Sequence, residues 1–281
     1  MTTAKSFDRI VTGRATSDGA GVKLTRLLGS PELQMLDPFL MLDAFRSDRA
    51  DDYIAGFPPH PHRGFETVTY MLAGRMRHRD NKGNEGVIGP GGVQWMTAGR
   101  GIVHSEMPEQ EEGLMWGFQL WVNLPKALKM ATPAYRDIED ADIPRDRRAG
   151  SVAKVIAGTT SAGVSGAVTD SPAAPLYLDV HVEPGGVFEE AVDPDWQGFV
   201  APYEGQLTGP TTAAGDAAPN QSVGVLGAGE TVRLSAGQSG AKALVILGAP
   251  LSEPVAWHGP FVMTTRDELV QAVEDYQAGR F

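Results

Sequence analysis

Two short segments carry side chains whose types and spacing could do chemistry together. In "FPPHPHRGFETV", residues 57–68, His60 and His62 flank Pro61, and forty-two residues past His62 the stretch "GRGIVHSEM" holds His104 and Glu106. A residue before proline is pushed out of the α region, so His60 is expected to be extended, and in an extended chain residues i and i+2 share a face. Pro61 lacks an N–H and belongs at a strand start or sheet edge, where side chains can point into the mouth of a barrel. His104 and Glu106 repeat the i, i+2 spacing. In a curled sheet, about four intervening strands can return the chain to its starting neighbourhood, so three imidazoles and a carboxylate would converge. Such a set favours Fe, Mn, Co, Ni, Cu or Zn over Ca or Mg, and an open coordination position would take oxygen or a substrate. Glu66 is a rival carboxylate, on the face of His60 and His62 if the strand runs unbroken through Gly64. The alternative is a set of unrelated strand-end histidines.

The elements that must position these groups read as short strands. Apolar runs such as "FETVTYML", "VQWM", "GLMWGFQLWV" and "KALVIL" are punctuated by 34 glycines and 20 prolines. "DNKGNEG" at 80–86 and "GPGG" at 89–92 supply turns, which predicts an antiparallel meander over roughly residues 65–106. Helical periodicity is strong only in "TTRDELVQAVEDYQ", with Thr as cap, Asp and Glu in the first turn, and Leu269, Val270, Val273 and Tyr276 on one side. His78 and His181 lack an i+2 ligand partner and read as structural. Arg75, Arg77 and Arg79 alternate as a solvated strand face.

Composition narrows the partners. The 281 residues carry 24 basic and 35 acidic side chains, a net charge of -11 that disfavours nucleic acid and anionic membranes. There is no apolar run long enough for a membrane helix and no secretory signal, so the cytoplasm is the expected compartment. With no cysteine, a metal must be held by His, Asp or Glu.

The chain also repeats itself. "GVIGPGGVQWMTAG" at 86–99 aligns without a gap on "GVLGAGETVRLSAG" at 224–237, with six of fourteen positions identical. Two related β domains are expected, 1–135 and 136–281, the second carrying the terminal helix. The charged, Pro-containing stretch 129–150 holds the boundary, and Ala/Gly/Ser-rich 156–174 and 208–220 read as loops. Extending the alignment sets Lys242 opposite His104 and Leu244 opposite Glu106, so no metal is expected at that place in the second domain.

The segment from His60 to Glu106, with the tail "EPVAWHGPFVMTTRDELVQA", resembles the pirin family, a branch of the cupins. The resemblance implies two jelly-roll barrels packed together. His60, His62, Glu66 and Gly74 fit the first cupin motif. The second departs from pattern at Gly99 and Pro108 while matching at Gly101 and His104. By similarity to pirins, His60, His62, His104 and Glu106 are the metal ligands and Glu66 lies behind them. The metal is Fe(II) first, with Cu, Ni, Mn, Co or Zn as substitutes. The implied activity is that of a quercetin 2,3-dioxygenase, which cleaves a flavonol with O2 and releases CO, Glu106 serving as both ligand and base. A second implied reading is a non-enzymatic, redox-sensitive iron regulator acting through a protein partner. A sugar-phosphate isomerase would need a basic pocket, for which Arg63 and Arg100 are the candidates.

Overall fold

The apolar runs become antiparallel strands in the computed structural model, which describes residues 3–210 and 217–281. The architecture is all-β, closed by one α-helix, as expected. The strands gather into two compact units. The first comprises Ala15–Arg26, Pro38–Asp140 and Leu251–Phe281, and the second the N-terminal residues to Arg14, Leu27–Asp37 and Ala141–Pro250.

The units do not divide the chain at one point. Strand Phe7–Thr12 pairs with Ser222–Leu226, which places the N-terminal strand in the second unit. The tail instead joins the first unit, where Phe261 bridges Arg63 and the helix packs Leu269, Ala272 and Val273 around Phe261, Phe281 and Val103. The helix spans Arg266–Gln277 and opens with a capping box between Thr265 and Glu268. Its inward stripe is buried Ala272 with half-buried Leu269 and Val273; Tyr276, itself exposed, lies against Phe261, and Val270, a hundred degrees round from Leu269, is exposed.

In the first unit, residues 65–106 form strands Phe65–Ala73, Met76–Asp80, Glu85–Ile88, Val93–Thr97 and Ile102–Pro108. The expected meander is corrected to a jelly-roll pattern, because the chain crosses between two sheets after 65–73, after 85–88 and after 93–97, and only 76–80 and 85–88 form a hairpin within one sheet. A seven-stranded sheet runs in the order 134–138, 93–97, 65–73, 115–123, 39–47, 22–28, 14–18. A four-stranded sheet runs 57–62, 102–108, 76–80, 85–88. The chain changes sheets at Gly64, whose φ of +89° suits glycine and where a Cβ would collide with the Val262 carbonyl.

The second unit is a nine-stranded antiparallel sheet system around one apolar cluster. The repeated turn recurs, Gly89–Gly92 between two strands in one unit and Gly227–Glu230 in the other. The gapless register does not extend further. The first unit breaks between Thr97 and Ile102, whereas Thr231–Gly248 runs as one strand. Lys242 consequently pairs with Glu204 at a half-exposed position, while Ala241, Ala243 and Val245 face the apolar interior. The expected loop at 156–174 begins two residues later, because Ile156 and Ala157 end strand Ser151–Ala157; no long strand follows before Leu176. The expected loop at 208–220 falls partly on 211–216, outside the described residues.

Candidate metal centre and its cavity

Phe57–His62 is an edge strand of the four-stranded sheet, the place that Pro61, without an N–H, requires. It pairs antiparallel with Ile102–Pro108, which sets His60 directly across from His104. The His60 and His62 ring centroids are 4.7 Å apart, His60 and His104 4.5 Å, and His62 and His104 5.0 Å. One ring nitrogen from each lies within 4.8 Å of the others, so the three imidazoles could hold one ion. Glu106, 4 % exposed, has Oε2 4.0 Å from His104 Nε2.

The donors suit a metal. His104 Nε2 is buried without a hydrogen-bond partner. His60 Nδ1 lies 2.8 Å from the Pro58 carbonyl, and donating its proton there leaves Nε2 with a free lone pair. Burial holds His62 and His104 well below the usual histidine pKa, reinforced at His62 by His104 and His60 and at His104 by His60 and His78. Neutral imidazole is the form that ligates.

Glu66 lies elsewhere. Because the strand restarts at Phe65 after the Gly64 turn, Glu66 and Thr69 point to opposite faces, and Glu66 accepts a hydrogen bond from Thr97 at 2.7 Å. Thr69, on the other face, donates to Glu106 Oε1 at 2.8 Å. Gln119 Oε1 lies 2.7 Å from the same hydroxyl, so Glu106 and Gln119 are alternative acceptors of its one hydrogen. Thr69 and Gln119 belong to a polar row across the seven-stranded sheet. Cross-strand register sets Asp43 beside Gln119, Gln119 beside Thr69, Thr69 beside Gln94 and Gln94 beside Asp137. At one end Arg26 grips Asp43 through Nε at 2.9 Å and Nη2 at 2.8 Å. Burial raises the Asp43 pKa, opposed by that guanidinium. At the other end Asp137 accepts from Gln94 at 3.0 Å and lies 3.3 Å from His78 Nε2. None of these residues has a local spacing pattern that marks it in the sequence.

A cavity of about 790 Å³ opens onto His60, His62 and Glu106. Its walls include Trp121, Trp257, Phe57, Phe45, Met41 and Leu24. His62 packs edge-on against Trp121 at 5.2 Å, and Trp121 lies 6.1 Å from Trp257. Trp257 arrives from the tail, whose backbone is stitched to Arg63 by Arg63 N–H to Pro260 C=O and Val262 N–H to Arg63 C=O. Lys129 ties the same segment down, donating to the carbonyls of Gly64 and Val262 and to Asn123 Oδ1 at 2.8–2.9 Å. Arg63 is committed to Asp275 and the Arg100 carbonyl, and neither Arg63 nor Arg100 lines the cavity. Arg77 and Arg79 pair with Glu85, and Arg77 also with Glu109. His181, in the second unit, lies 3.1 Å from the Tyr203 hydroxyl and 3.3 Å from Asp179.

Jelly-roll sheets around a histidine cluster define a cupin-type protein, and comparison with known proteins agrees. The Pirin family matches residues 21–122, and the Pirin C-terminal cupin domain matches residues 177–281. A pirin-like protein of Caulobacter vibrioides is 57% identical over 97% of this chain and 98% of its own length. Pirin of Rattus norvegicus is 41% identical over 99% and 94%. The crystal structure of a quercetin 2,3-dioxygenase from Acinetobacter baumannii superposes with a TM-score of 0.88 at 33% identity, covering 99% of this chain and 98% of that one. The chain belongs to the pirin family, with two cupin domains. No helix of the described residues is long and apolar enough to cross a membrane.

Proposed function

We propose that His60, His62, His104 and Glu106 hold a divalent first-row metal, Fe(II) foremost, and that the chain is a dioxygenase of the quercetin 2,3-dioxygenase type. The observation that carries this reading is the aromatic-walled cavity of about 790 Å³ opening directly onto the imidazoles, a space for a flat aromatic substrate beside the ion. A regulator acting through protein partners has no need of such a chamber. The solved quercetin 2,3-dioxygenase of the same fold supports the substrate class.

The bound metal would supply a Lewis-acidic position at which a flavonol oxygen and O2 meet. The chain does the rest. Trp121, Trp257 and Phe57 stack on and enclose the flavonol rings and exclude water. Thr69 holds Glu106 by Oε1, which leaves Oε2, the oxygen beside the imidazoles, to serve both as ligand and as the base for the flavonol hydroxyl. The Pro58 carbonyl fixes the His60 tautomer.

The test is to load apo protein with Fe(II), Cu(II), Ni(II) or Mn(II) and to follow quercetin loss and CO release. Metal-dependent turnover with CO is expected. A stoichiometrically bound metal with no turnover overturns the proposal.

A further inference from the structure

The cavity has a second polar end, away from the imidazoles. Arg26, Asp43 and Asp18 line it, flanked by Leu24, Met41 and Phe45. Asp43 and Thr69 lie on strands two apart in the sheet, which places this end about 10 Å from the residue that holds Glu106. A flavonol held at the metal by its enolic oxygens would reach toward this end with the outer hydroxyls of its pendant ring.

Its hydrogen-bonding capacity is partly spent. Arg26 Nε and Nη2 go to the two Asp43 oxygens, and Nη2 also reaches Asp18 Oδ2 at 3.3 Å. The Nη1 group makes no hydrogen bond among the described residues. Each Asp43 oxygen accepts one bond from Arg26 and retains a lone pair, while Asp18 is half exposed. Both donors and acceptors are therefore on offer. One guanidinium among two carboxylates leaves a net negative charge, which repels a carboxylate or phosphate. The group that fits is neutral and both donates and accepts, as an aromatic hydroxyl does.

We propose that Arg26, Asp43 and Asp18 form a subsite for the hydroxylated ring of a neutral polyphenol, the ring remote from the metal. This rests on the flavonol reading of the same cavity. The subsite would choose among flavonols by their pendant hydroxyls, and would reject anionic ones.

Binding to metal-loaded protein, with O2 excluded and read by calorimetry, tests it. The probes are quercetin, galangin, which is the same flavonol without pendant-ring hydroxyls, and a 4′-carboxyflavonol. Quercetin is expected to bind about tenfold tighter than galangin, the worth of a hydrogen bond to a charged group. The carboxylate should bind more weakly than galangin. The double variant Arg26→Gln/Asp43→Asn, which removes both charges, should bring quercetin down to galangin's affinity and leave galangin unchanged. Asp18→Asn, at a half-exposed position that cannot unfold the chain, should narrow the preference about twofold. Equal binding of quercetin and galangin by the wild type, preference retained in a folded double variant, or tight binding of the carboxylate overturns the subsite and leaves the flavonol reading standing. Should no flavonol bind, the flavonol reading falls and the subsite with it.

Discussion

The two units have comparable antiparallel sheets and opposite interiors. In the second unit Val155, Leu176, Leu178, Val180, Phe188, Val200, Leu234, Val245 and Leu247 are sealed into one apolar cluster. In the first, the inner face of the seven-stranded sheet carries Asp43, Thr69, Gln94 and Gln119 in register, facing His60, His62, His104 and Glu106. Burying polar groups costs free energy even when they are paired. One interior is thus filled for stability, while the other gives up stability to hold donors and acceptors around a cavity. The difference is a reason, independent of any relative, for seeking function in the first unit.

Metal affinity gives the largest contrast. His104→Ala should weaken metal binding by roughly 10²- to 10³-fold, since about 10–16 kcal/mol of apparent binding energy is shared by some four ligands. His181→Ala in the second unit should leave metal content unchanged. Titration with Ni(II) or Fe(II) measures both, and stoichiometric metal on His104→Ala would sink the assignment. Next is packing. Leu178→Ala, in the sealed cluster, should cost about 3 kcal/mol in denaturant unfolding with metal affinity intact, because the cavity it leaves is walled by rigid neighbours. A shift under 1 kcal/mol would show that this interior is less tightly filled than its burial indicates.

How much of this was legible in the sequence depends on the distance over which each signal acts. His60 and His62, and again His104 and Glu106, are i, i+2 pairs, so local backbone geometry shows each pair's shared face, and counting four strands suggests that the pairs meet. Glu66 misleads because its parity is interrupted at Gly64, where a left-handed glycine turns the chain into another sheet. Asp43, Thr69, Gln94 and Gln119 come from four strands, and only cross-strand register brings them into one row. The same holds for the unit boundary. Apolar periodicity marks the terminal helix and Thr265 marks its cap, yet nothing local says that the helix covers Val103 rather than the nearer second unit.

Each unit also buries a lysine in a cage of acceptors, which sharpens the comparison through pH. Lys5 donates to the carbonyls of Pro194, Trp196 and Gly227; Lys129 donates to those of Gly64 and Val262 and to Asn123. Burial lowers both pKa values, that of Lys129 to about 8, whereas Asp193, Asp195 and Asp8 push Lys5 back up. Between pH 8 and 10.5 the unfolded chain keeps a proton at Lys129 that the folded chain has released. Stability from this group therefore rises with pH across that window and is flat below it. Relative to wild type, Lys129→Met should abolish a rise of roughly 2 kcal/mol over that range, and Lys5→Met a smaller one. Chemical denaturation at pH 7, 8, 9 and 10 reads the difference, and parallel curves for wild type and Lys129→Met would refute it.

The smallest effect tests whether the polar row serves the metal centre or merely fills space. Thr69→Val keeps the side chain's volume and removes the hydroxyl that donates to Glu106 Oε1. The carboxylate would then lose the bond that keeps one oxygen turned away from the imidazoles. A ligand without its outer partner typically loses 10- to 100-fold in metal affinity. The lower figure, about tenfold, is expected, because Thr69 shares its one hydrogen between Glu106 and Gln119 Oε1. Thermal stability should change by no more than about 1 kcal/mol, since valine fills the same site. The paired variant Thr69→Val/Gln119→Leu should lose a further increment in affinity, and a double-mutant cycle measures whether the two groups act through the same carboxylate. If affinity stays at the wild-type value while stability falls, the row is packing, and the contrast between the two interiors is one of composition rather than of chemistry.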